Sequence, residues 1–386
     1  MTSAERIVMK KILLFFVSLL LIFLPINVLG AGNNSSTGAE IPAYANVTVV
    51  NVDPDNFDRS FNNALKEAAV KASTSNQYKI IIPPGNYVQG HSYIIPGNTY
   101  VYAVGATITA KDNRVTLFRG DVTNPSENII VEGGTWVSTI YHGGGTAIRF
   151  MSVKNLLLKN ITAKVNRCAH IVELSDVKGV TITGCTLSGN NSDVNATVGV
   201  QPKEAIQLDV STLSAMPGSE VSSNMYNGKG CHKVLITENR IINCARGIGS
   251  HSSIIGAEKN PYTYISVKNN VIKNCLGEGI FGQDWKNTTI SGNTIQKCKQ
   301  SGIHLQDASN VWATKNKIAD VKRYTGRRKS TYDPEGKYGV GIRILRCKKI
   351  TVDNNQITKI YSKGIALENN KSGIVCKKNK IKSLKK

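Results

Sequence analysis

Residues 278–298 read EGIFGQDWKNTTISGNTIQKC, and residues 301–321 repeat the same pattern as SGIHLQDASNVWATKNKIADV. Each stretch starts with aliphatic residues that alternate with variable ones, and each then reaches an Asn-x-Ile phrase. Alternation with a period of two is typical of β-strands, because successive side chains point to opposite faces. A unit this short cannot bury its own inner face, so the repeat predicts units that stack on one another.

The same alternating phrase recurs along much of the chain. Its first aliphatic residue lies at Ile148, Val172, Ile206, Ile248, Ile280, Ile303, Ile342 and Ile365. The asparagine of the second phrase lies at Asn239, Asn270, Asn293, Asn316, Asn355 and Asn379. Three intervals between the aliphatic positions are 23 or 24 residues long, and the longer intervals contain insertions. Because a side-chain amide can satisfy the backbone groups of a tight bend, the asparagines predict a stacked corner.

An amphipathic helix is predicted ahead of the first coil. The stretch FDRSFNNALKEAAVKA places Phe57, Phe61, Leu65 and Ala69 at helical spacing, and KIIIPPGNY then opens the first coil. With these elements the chain resembles the right-handed parallel β-helix proteins of the pectin-lyase-like superfamily, over about residues 45–386. The resemblance implies an all-β fold, a right-handed parallel β-helix with a short N-terminal capping helix. It does not imply one activity, since this fold hosts hydrolases, lyases, epimerases and adhesins.

Residues 1–31 have the composition of a secretory signal peptide. Arg6, Lys10 and Lys11 precede an apolar run, and small residues follow it. An uncleaved membrane anchor is the alternative, but the run is short for a membrane span and Pro25 interrupts it. We therefore expect a signal peptide over residues 1–31, a linker over 32–45 and a single β-helix domain over 46–386. The expected product is a monomer that is secreted, either extracellular or associated with the cell wall.

The formal net charge of +22 indicates a polyanionic partner. Only 6% of the residues are aromatic, and they do not interleave with the basic residues. This pattern does not favour nucleic acid, whose bases stack on aromatic side chains. The expected partner is an acidic polysaccharide or a cell-wall polymer, with no nucleic acid and no membrane contact after signal cleavage. The alternative is that the charge only keeps the protein soluble.

The eight cysteines raise the question of disulfides, which exported proteins often contain. Cys168, Cys244, Cys275 and Cys298 each precede a repeated aliphatic position by four or five residues. This spacing predicts a column of reduced cysteines inside the solenoid, where a thiol packs as a small apolar group. Cys347 and Cys376 are the alternative pair for a disulfide. No CxxC or HxxxH spacing occurs, so no metal site is expected.

The strand EAIQLD, residues 204–209, carries polar groups on the face turned away from the predicted core. Insertions near the ends of this and neighbouring strands predict loops that wall a groove for an extended polymer. Ionisable and hydrogen-bonding side chains concentrate on the middle coils of this face. Substrate binding is predicted for Gln207, Asp209, His251, Gln283, His304 and Arg343.

Catalysis is predicted for Glu204, Glu278, Arg246 and His170. Glu204 and Glu278 lie two coils apart, which separates their backbones by about 9 to 10 Å. Inverting glycosidases hold their acid and base about 6.5 to 9.5 Å apart, so the spacing suits hydrolysis. Arg246 would clamp a uronate carboxylate, and His170 would tune or relay the proton of Glu204. A structural Glu-Arg-Glu ion-pair array is the alternative.

The leading interpretation is a glycoside hydrolase for an acidic polysaccharide, with no cofactor. One alternative is a polysaccharide lyase or uronate C5-epimerase, in which Arg246 or His170 abstracts a proton; calcium is expected only for a lyase. The other alternative is a non-catalytic adhesin that binds wall polymers. Polygalacturonase phrases are matched only in part, because Lys203 and Glu204 stand for an acidic pair and Ala245–Gly247 stand for Gly-His-Gly. That mechanism is therefore not carried over.

Overall fold

The chain coils into a parallel β-helix, in which successive turns add one strand to each of three sheets. The computed structural model describes residues 37–112, 116–138, 145–166, 169–190, 203–250, 257–323 and 339–383. Within these residues the chain forms 33 strands and one α-helix, numbered here along the chain, and a 3-10 turn at Ser223–Met225. The predicted parallel β-helix is confirmed.

Sheet A consists of β1 (Asn46–Asn51), β2 (Asn76–Ile81), β5 (Thr99–Tyr102), β8 (Ser126–Glu132), β11 (Val153–Lys159), β14 (Lys178–Thr183), β17 (Cys231–Thr237), β20 (Tyr262–Lys268), β23 (Trp285–Ser291), β26 (Ser309–Thr314), β29 (Lys348–Asp353) and β32 (Ile374–Lys377). Sheet B consists of β3 (Gly85–Gln89), β6 (Ala106–Ala110), β9 (Thr135–Ser138), β12 (Thr162–Val165), β15 (Thr186–Ser188), β18 (Arg240–Cys244), β21 (Val271–Cys275), β24 (Thr294–Gln296), β27 (Lys317–Val321), β30 (Gln356–Ile360) and β33 (Lys380–Ser383). Sheet C consists of β4 (Tyr93–Ile95), β7 (Phe118–Gly120), β10 (Ile148–Met151), β13 (Val172–Ser175), β16 (Glu204–Asp209), β19 (Arg246–Gly249), β22 (Ile280–Gln283), β25 (Ser301–Gln306), β28 (Val340–Leu345) and β31 (Ile365–Glu368).

The strand register on sheet C is the one that the repeat predicts. Glu173 pairs with Gln207, which pairs with Gly249, and this column continues through Phe281 to His304. The alternate residues of these strands point inward and join one continuous apolar core with sheets A and B. The period of two therefore fixes which side chains of sheet C lie outside the core.

An asparagine ladder stabilises the bends between sheets A and B, as predicted. Asn270 donates through Nδ2 to the carbonyl of Ile236 at 2.9 Å and to Asn293 Oδ1 at 3.0 Å. Its own Oδ1 accepts from the backbone N–H of Asn239 at 3.0 Å. Because these groups are buried, each amide satisfies backbone atoms that would otherwise cost free energy.

The predicted N-terminal helix is present as α1 (Phe57–Lys71). Its buried face comprises Phe57, Phe61, Ala64, Leu65 and Ala68. The prediction was wrong for Ala69, which is exposed. Strict spacing by four drifts off a 3.6-residue helix, so the buried face shifts to Ala68 in the last turn.

Part of the predicted linker lies against the solenoid. The backbone N–H of Gly38 donates to the carbonyl of Lys233 on β17 at 3.1 Å, and that of Ala39 donates to Thr181 Oγ1 on β14 at 2.9 Å. Tyr44 donates to Asn98 Oδ1 at 3.1 Å. Residues 38–44 thus cross several coils of sheet A before β1 begins. The predicted signal peptide, residues 1–31, lies outside the described residues. No helix in the described ranges is long and apolar enough to cross a membrane.

The cysteines of the described residues are free thiols. Cys185, Cys231, Cys244, Cys275, Cys298 and Cys347 are buried, whereas Cys376 is exposed. The predicted column is present for Cys244 and Cys275, which face each other in register, and burial raises the pKa of Cys244 to about 12. Cys347 and Cys376 do not form the alternative disulfide. Cys168 lies outside the described residues.

Candidate functional site

A buried ion pair occupies the middle of the outer face of sheet C. Arg246 on β19 donates through Nη1 to Glu204 Oε1 at 2.6 Å and through Nε to Glu278 Oε2 at 2.9 Å. The three residues are exposed by only 0 to 3%. The guanidinium carbon also lies 4.2 Å from the centre of the Phe281 ring. The predicted clamp therefore binds the two predicted catalytic carboxylates themselves.

Further ionisable side chains extend this cluster toward the C-terminal coils. His304 Nδ1 lies 3.5 Å from Glu278 Oε1, and its Nε2 lies 3.5 Å from Arg343 Nη1. Arg343 in turn donates to both carboxylate oxygens of Glu368, at 3.0 and 2.6 Å. Burial alone would raise the pKa of Glu278, but Arg246 and His304 outweigh it and lower this pKa to about 2. Burial lowers the pKa of His304, with the charges of Arg343 and Arg246 acting in the same direction.

These contacts favour the structural interpretation of Glu204 and Glu278. Both carboxylates hold one guanidinium, so no space for a sugar and a water separates them, and neither lines the cavity described below. A fully paired and desolvated charge array of this kind organises a structure, and removing one member is strongly destabilising. Their catalytic role stays a prediction that the described geometry does not support.

A cavity of about 400 Å³ lies beside this array, over β7, β10, β13 and β16. Its lining comprises Thr116, Arg119, Gly145, Thr146, Arg149, Ala169, His170, Glu173, Lys203, Gln207, Asp209, Ser214, Ala215, Pro217 and Glu220. Three predicted site residues, His170, Gln207 and Asp209, thus share one cavity. The predicted continuous groove is replaced, in the described part of the chain, by a pocket on four strands.

The insertion after β16 forms one wall of this pocket, as predicted for the inserted loops. Met216 and Met225 from the insertion pack with Met151 of β10 and Val122 in a small apolar cluster that is separate from the main core. Tyr226 donates to the carbonyl of Met216 at 3.1 Å. This packing fixes the wall against sheet C. Of the other insertions, residues 191–202 and 324–338 lie outside the described residues, and the one after β19 is described only from residue 257 onward.

Glu173 lies among several polar side chains of the pocket. Thr146 donates to its Oε2 at 2.9 Å, and Arg149 Nε lies 3.4 Å from the same oxygen. Its Oε1 lies 3.9 Å from His170 Nε2, while His170 Nδ1 lies 3.6 Å from Glu204 Oε2. His170 is therefore held between a pocket carboxylate and the buried ion pair.

Gln207 and Asp209 form the opposite end of the pocket on β16. Gln207 donates through Nε2 to Asp209 Oδ2, and the backbone N–H of Val210 donates to Asp209 Oδ1 at 2.7 Å. Gln207 is 1% exposed, and its Oε1 has no hydrogen-bond partner within the described structure. A buried amide oxygen without a donor can accept a hydrogen bond from a bound hydroxyl.

Two cations of the pocket were missed at the level of sequence. Arg119 on β7 and Lys203 just before β16 both line the cavity, and within the described residues neither lies in an ion pair. Arg149, by contrast, lies near Glu173 and 3.5 Å from Glu220. Lys203 immediately precedes the EAIQLD strand, so considering the residue before Glu204 would have identified it. Arg119 precedes the recognisable repeat and gave no signal.

The remaining predicted binding residues are not part of the pocket. His304 and Arg343 belong to the buried charge array. Gln283 lies on β22, beyond the lining residues, and His251 lies outside the described residues. Within the described ranges, no group of three or more His, Cys, Asp or Glu side chains is placed to hold a metal ion.

The sequence matches the family model described as "Right handed beta helix region" over residues 87–318 and 225–386. The chain belongs to the right-handed β-helix family. The structure is similar to that of the Streptococcus pneumoniae surface protein and adhesin PfbA, with a TM-score of 0.64 and 18% identity over 87% of this chain and 97% of that chain. It is also similar to the Dettilon tailspike protein, with a TM-score of 0.51 and 14% identity over 85% of this chain and 68% of that chain. At these identities the likeness concerns the fold. No curated protein sequence matches the chain.

Proposed function

We propose that this protein is a secreted glycoside hydrolase that binds an acidic polysaccharide in the pocket over β7, β10, β13 and β16. The observation that carries the proposal is one cavity that is lined by the carboxylates of Glu173 and Asp209 and by two cations. The cations, Arg119 and Lys203, lie in no ion pair with the described residues. Arg119 and Lys203 would attract a uronate carboxylate, and Glu173 and Asp209 would act on the glycosidic bond. The strongly basic chain suits the same anionic partner.

The strand geometry supports an inverting reaction. Glu173 and Asp209 lie on adjacent strands and two residues apart in register. A strand spacing of about 4.8 Å and a rise of about 3.3 Å per residue separate their backbones by about 8 Å. Inverting enzymes hold their two carboxyl groups about 6.5 to 9.5 Å apart, and backbones at this separation are compatible with such a pair. The pair replaces Glu204 and Glu278 as the proposed acid and base.

The contacts suggest a role for each group. Asp209, which accepts hydrogen bonds from Gln207 and from the N–H of Val210, would act as the base and take a proton from the water that attacks the anomeric carbon. Glu173 would protonate the leaving oxygen as the C–O bond breaks, and His170 would return a proton to Glu173 Oε1. One water is consumed, because its hydroxyl joins the anomeric carbon and its proton passes from Asp209 to the solvent. His170 takes a proton from the solvent to replace the one that it returns to Glu173.

A second candidate function is binding without chemistry. The observation that favours it is that Glu173 is engaged by Thr146 and Arg149, as expected for a carboxylate that remains ionised. In this case the pocket would recognise a wall polymer, and the protein would act as an adhesin. A lyase or C5-epimerase, with His170 as the base, is distinguished by its products.

The test is to incubate the purified protein with polyuronates, glycosaminoglycans and wall polymers, and to follow reducing ends and ultraviolet absorbance together. A hydrolase releases reducing ends without the absorbance of an unsaturated sugar, whereas a lyase produces both. Glu173→Gln and Asp209→Asn should each abolish the release while the polymer still binds. Glu258→Gln, which alters the ion pair with His232 outside the pocket, should retain full activity. Unchanged turnover in Glu173→Gln and Asp209→Asn would refute the assignment. A change of C5 configuration, followed by NMR, without new reducing ends would show an epimerase, and binding with none of these changes on every polymer would leave the adhesin.

A further inference from the structure

The pocket is closed on its C-terminal side. The next position of the outer column after Gln207 is Gly249, which has no side chain, and Arg246 occupies the space. A Cβ atom at Gly249 would lie 3.3 Å from Arg246 Cδ. The Phe281 ring stacks on the guanidinium from the following coil. Arg246 is 2% exposed and Phe281 is 1% exposed, so neither side chain offers an open surface to a sugar on the C-terminal side of the pocket.

The N-terminal side of the same face is open. Arg119 on β7 lines the cavity, and Ile94, its register partner on β4, is 43% exposed. Between β7 and β16 the pocket spans three strand spacings, or about 14 Å. The accessible part of the face is therefore short, and it runs from an open end at β4 to a closed end at β16.

We infer that the pocket receives the end of a saccharide chain and not an internal segment. This inference rests on the proposed function, in that it specifies how the same site takes its ligand. An internal segment must leave a binding site in two directions, and the stack of Arg246 on Phe281 blocks one of them. A terminal sugar needs only the open side over Arg119 and Ile94. The preferred ligands are thus chain ends of acidic polysaccharides, and the reaction is removal of short units from an end.

The closed end offers a group that recognises a terminal sugar. Gln207 lies there, and its buried Oε1 has no donor among the described residues. A terminal sugar carries a free hydroxyl at the position through which an internal sugar is linked to the next one. That hydroxyl can donate to Gln207 Oε1, whereas a linked or methylated oxygen cannot. Loss of the bond would leave a buried acceptor unsatisfied and should weaken binding about tenfold.

The experiment compares galacturonate oligomers of defined length with the same oligomers methylated at the terminal hydroxyls. Product lengths are measured during the first few turnovers, and affinities are measured by calorimetry. We expect one short product from the start of the reaction, with little fall in the viscosity of the polymer. Methylated oligomers should be cleaved or bound about tenfold more weakly. Gln207→Leu should reduce the difference between free and methylated ends, whereas Gln356→Leu, an exposed residue on β30, should preserve it.

The outcomes separate this inference from the proposed function. Mixed product lengths with a rapid fall in viscosity would show internal cleavage, which overturns the inference and supports hydrolysis. Binding that depends on a free chain end but leads to no turnover would support the inference and refute the hydrolase. Equal affinity for free and methylated ends, or binding to none of these oligomers, would overturn the inference.

Discussion

Replacing Arg246 with methionine should strongly destabilise the fold, because it leaves two carboxylates buried without their cation. Methionine keeps an unbranched side chain against Phe281, so the variant removes charge with little loss of packing. Arg246 contacts Glu204 at 2.6 Å and Glu278 at 2.9 Å. Breaking a buried ion pair by removing one partner typically costs about 3 to 5 kcal/mol. We expect a loss of this size in the free energy of unfolding at pH 7.

The pH dependence of this stability loss follows from the lowered pKa of Glu278. The pKa of Glu278 is about 2 in the folded protein and ordinarily 4.5. A depression of this size corresponds to about 3 kcal/mol of stability. Because the folded pKa is depressed, this stability is present above about pH 4.5 and is lost as the pH falls toward 2. In Arg246→Met the buried carboxyl groups can instead be protonated at low pH. The difference in the free energy of unfolding between the wild type and this variant should therefore be smaller at pH 4 than at pH 7.

The assay is urea unfolding followed by circular dichroism at pH 7 and pH 4, with midpoints compared because long solenoids can depart from two-state behaviour. Arg346→Met is the matched control, since it breaks an Arg346–Asp307 pair of similar length whose arginine side chain is 47% exposed. Its expected cost is below about 1 kcal/mol. The reasoning is refuted if Arg246→Met costs no more than this control, or if its cost does not change with pH.

Three further predictions concern the corner ladder, the thiols and the pocket cations. Asn270→Ala should destabilise the protein by about 1 to 3 kcal/mol in thermal unfolding, because the backbone N–H of Asn239 and the carbonyl of Ile236 lose their partner. The exposed Asn86→Ala on β3 should have little effect, and equal effects would contradict the ladder's role. In native protein at pH 8, Cys376 should be alkylated quickly, as judged by mass spectrometry, while the buried thiols stay unmodified; rapid labelling of Cys244 would contradict their burial. Arg119→Met and Lys203→Met should each weaken binding of an acidic oligosaccharide several-fold and reduce its salt dependence, and an unchanged salt dependence would exclude direct charge recognition.

The sequence was sufficient for the fold because its information is periodic. The period of two specified the register of sheet C from Glu173 through Gln207 to His304, and the asparagines located the corner between sheets A and B. The helical pattern was less accurate in the last turn of α1, where Ala69 was placed on the buried face but is exposed. Stacking repeats impose the same environment on equivalent positions, so a single alternation carries over to each coil.

The site was predicted only in part, because alternation shows which side chains leave the core but not which of them stay accessible. Glu204 and Glu278 occupy outer positions and yet are buried, since Arg246 fills the space above Gly249. In the outer column that contains Gln207, the next two residues are Gly249 and Phe281, and this pair was the available clue to the burial. Arg119 was missed because it precedes the recognisable repeat.

The most direct test of the central claim is a crystal structure of the Asp209→Asn variant with a galacturonate trisaccharide bound. We predict that the terminal sugar fills the closed end, with a hydroxyl on Gln207 Oε1 and a carboxylate near Arg119 or Lys203. The claim is contradicted if the trisaccharide binds elsewhere on the solenoid, or if it passes over Arg246 so that both of its ends leave the pocket.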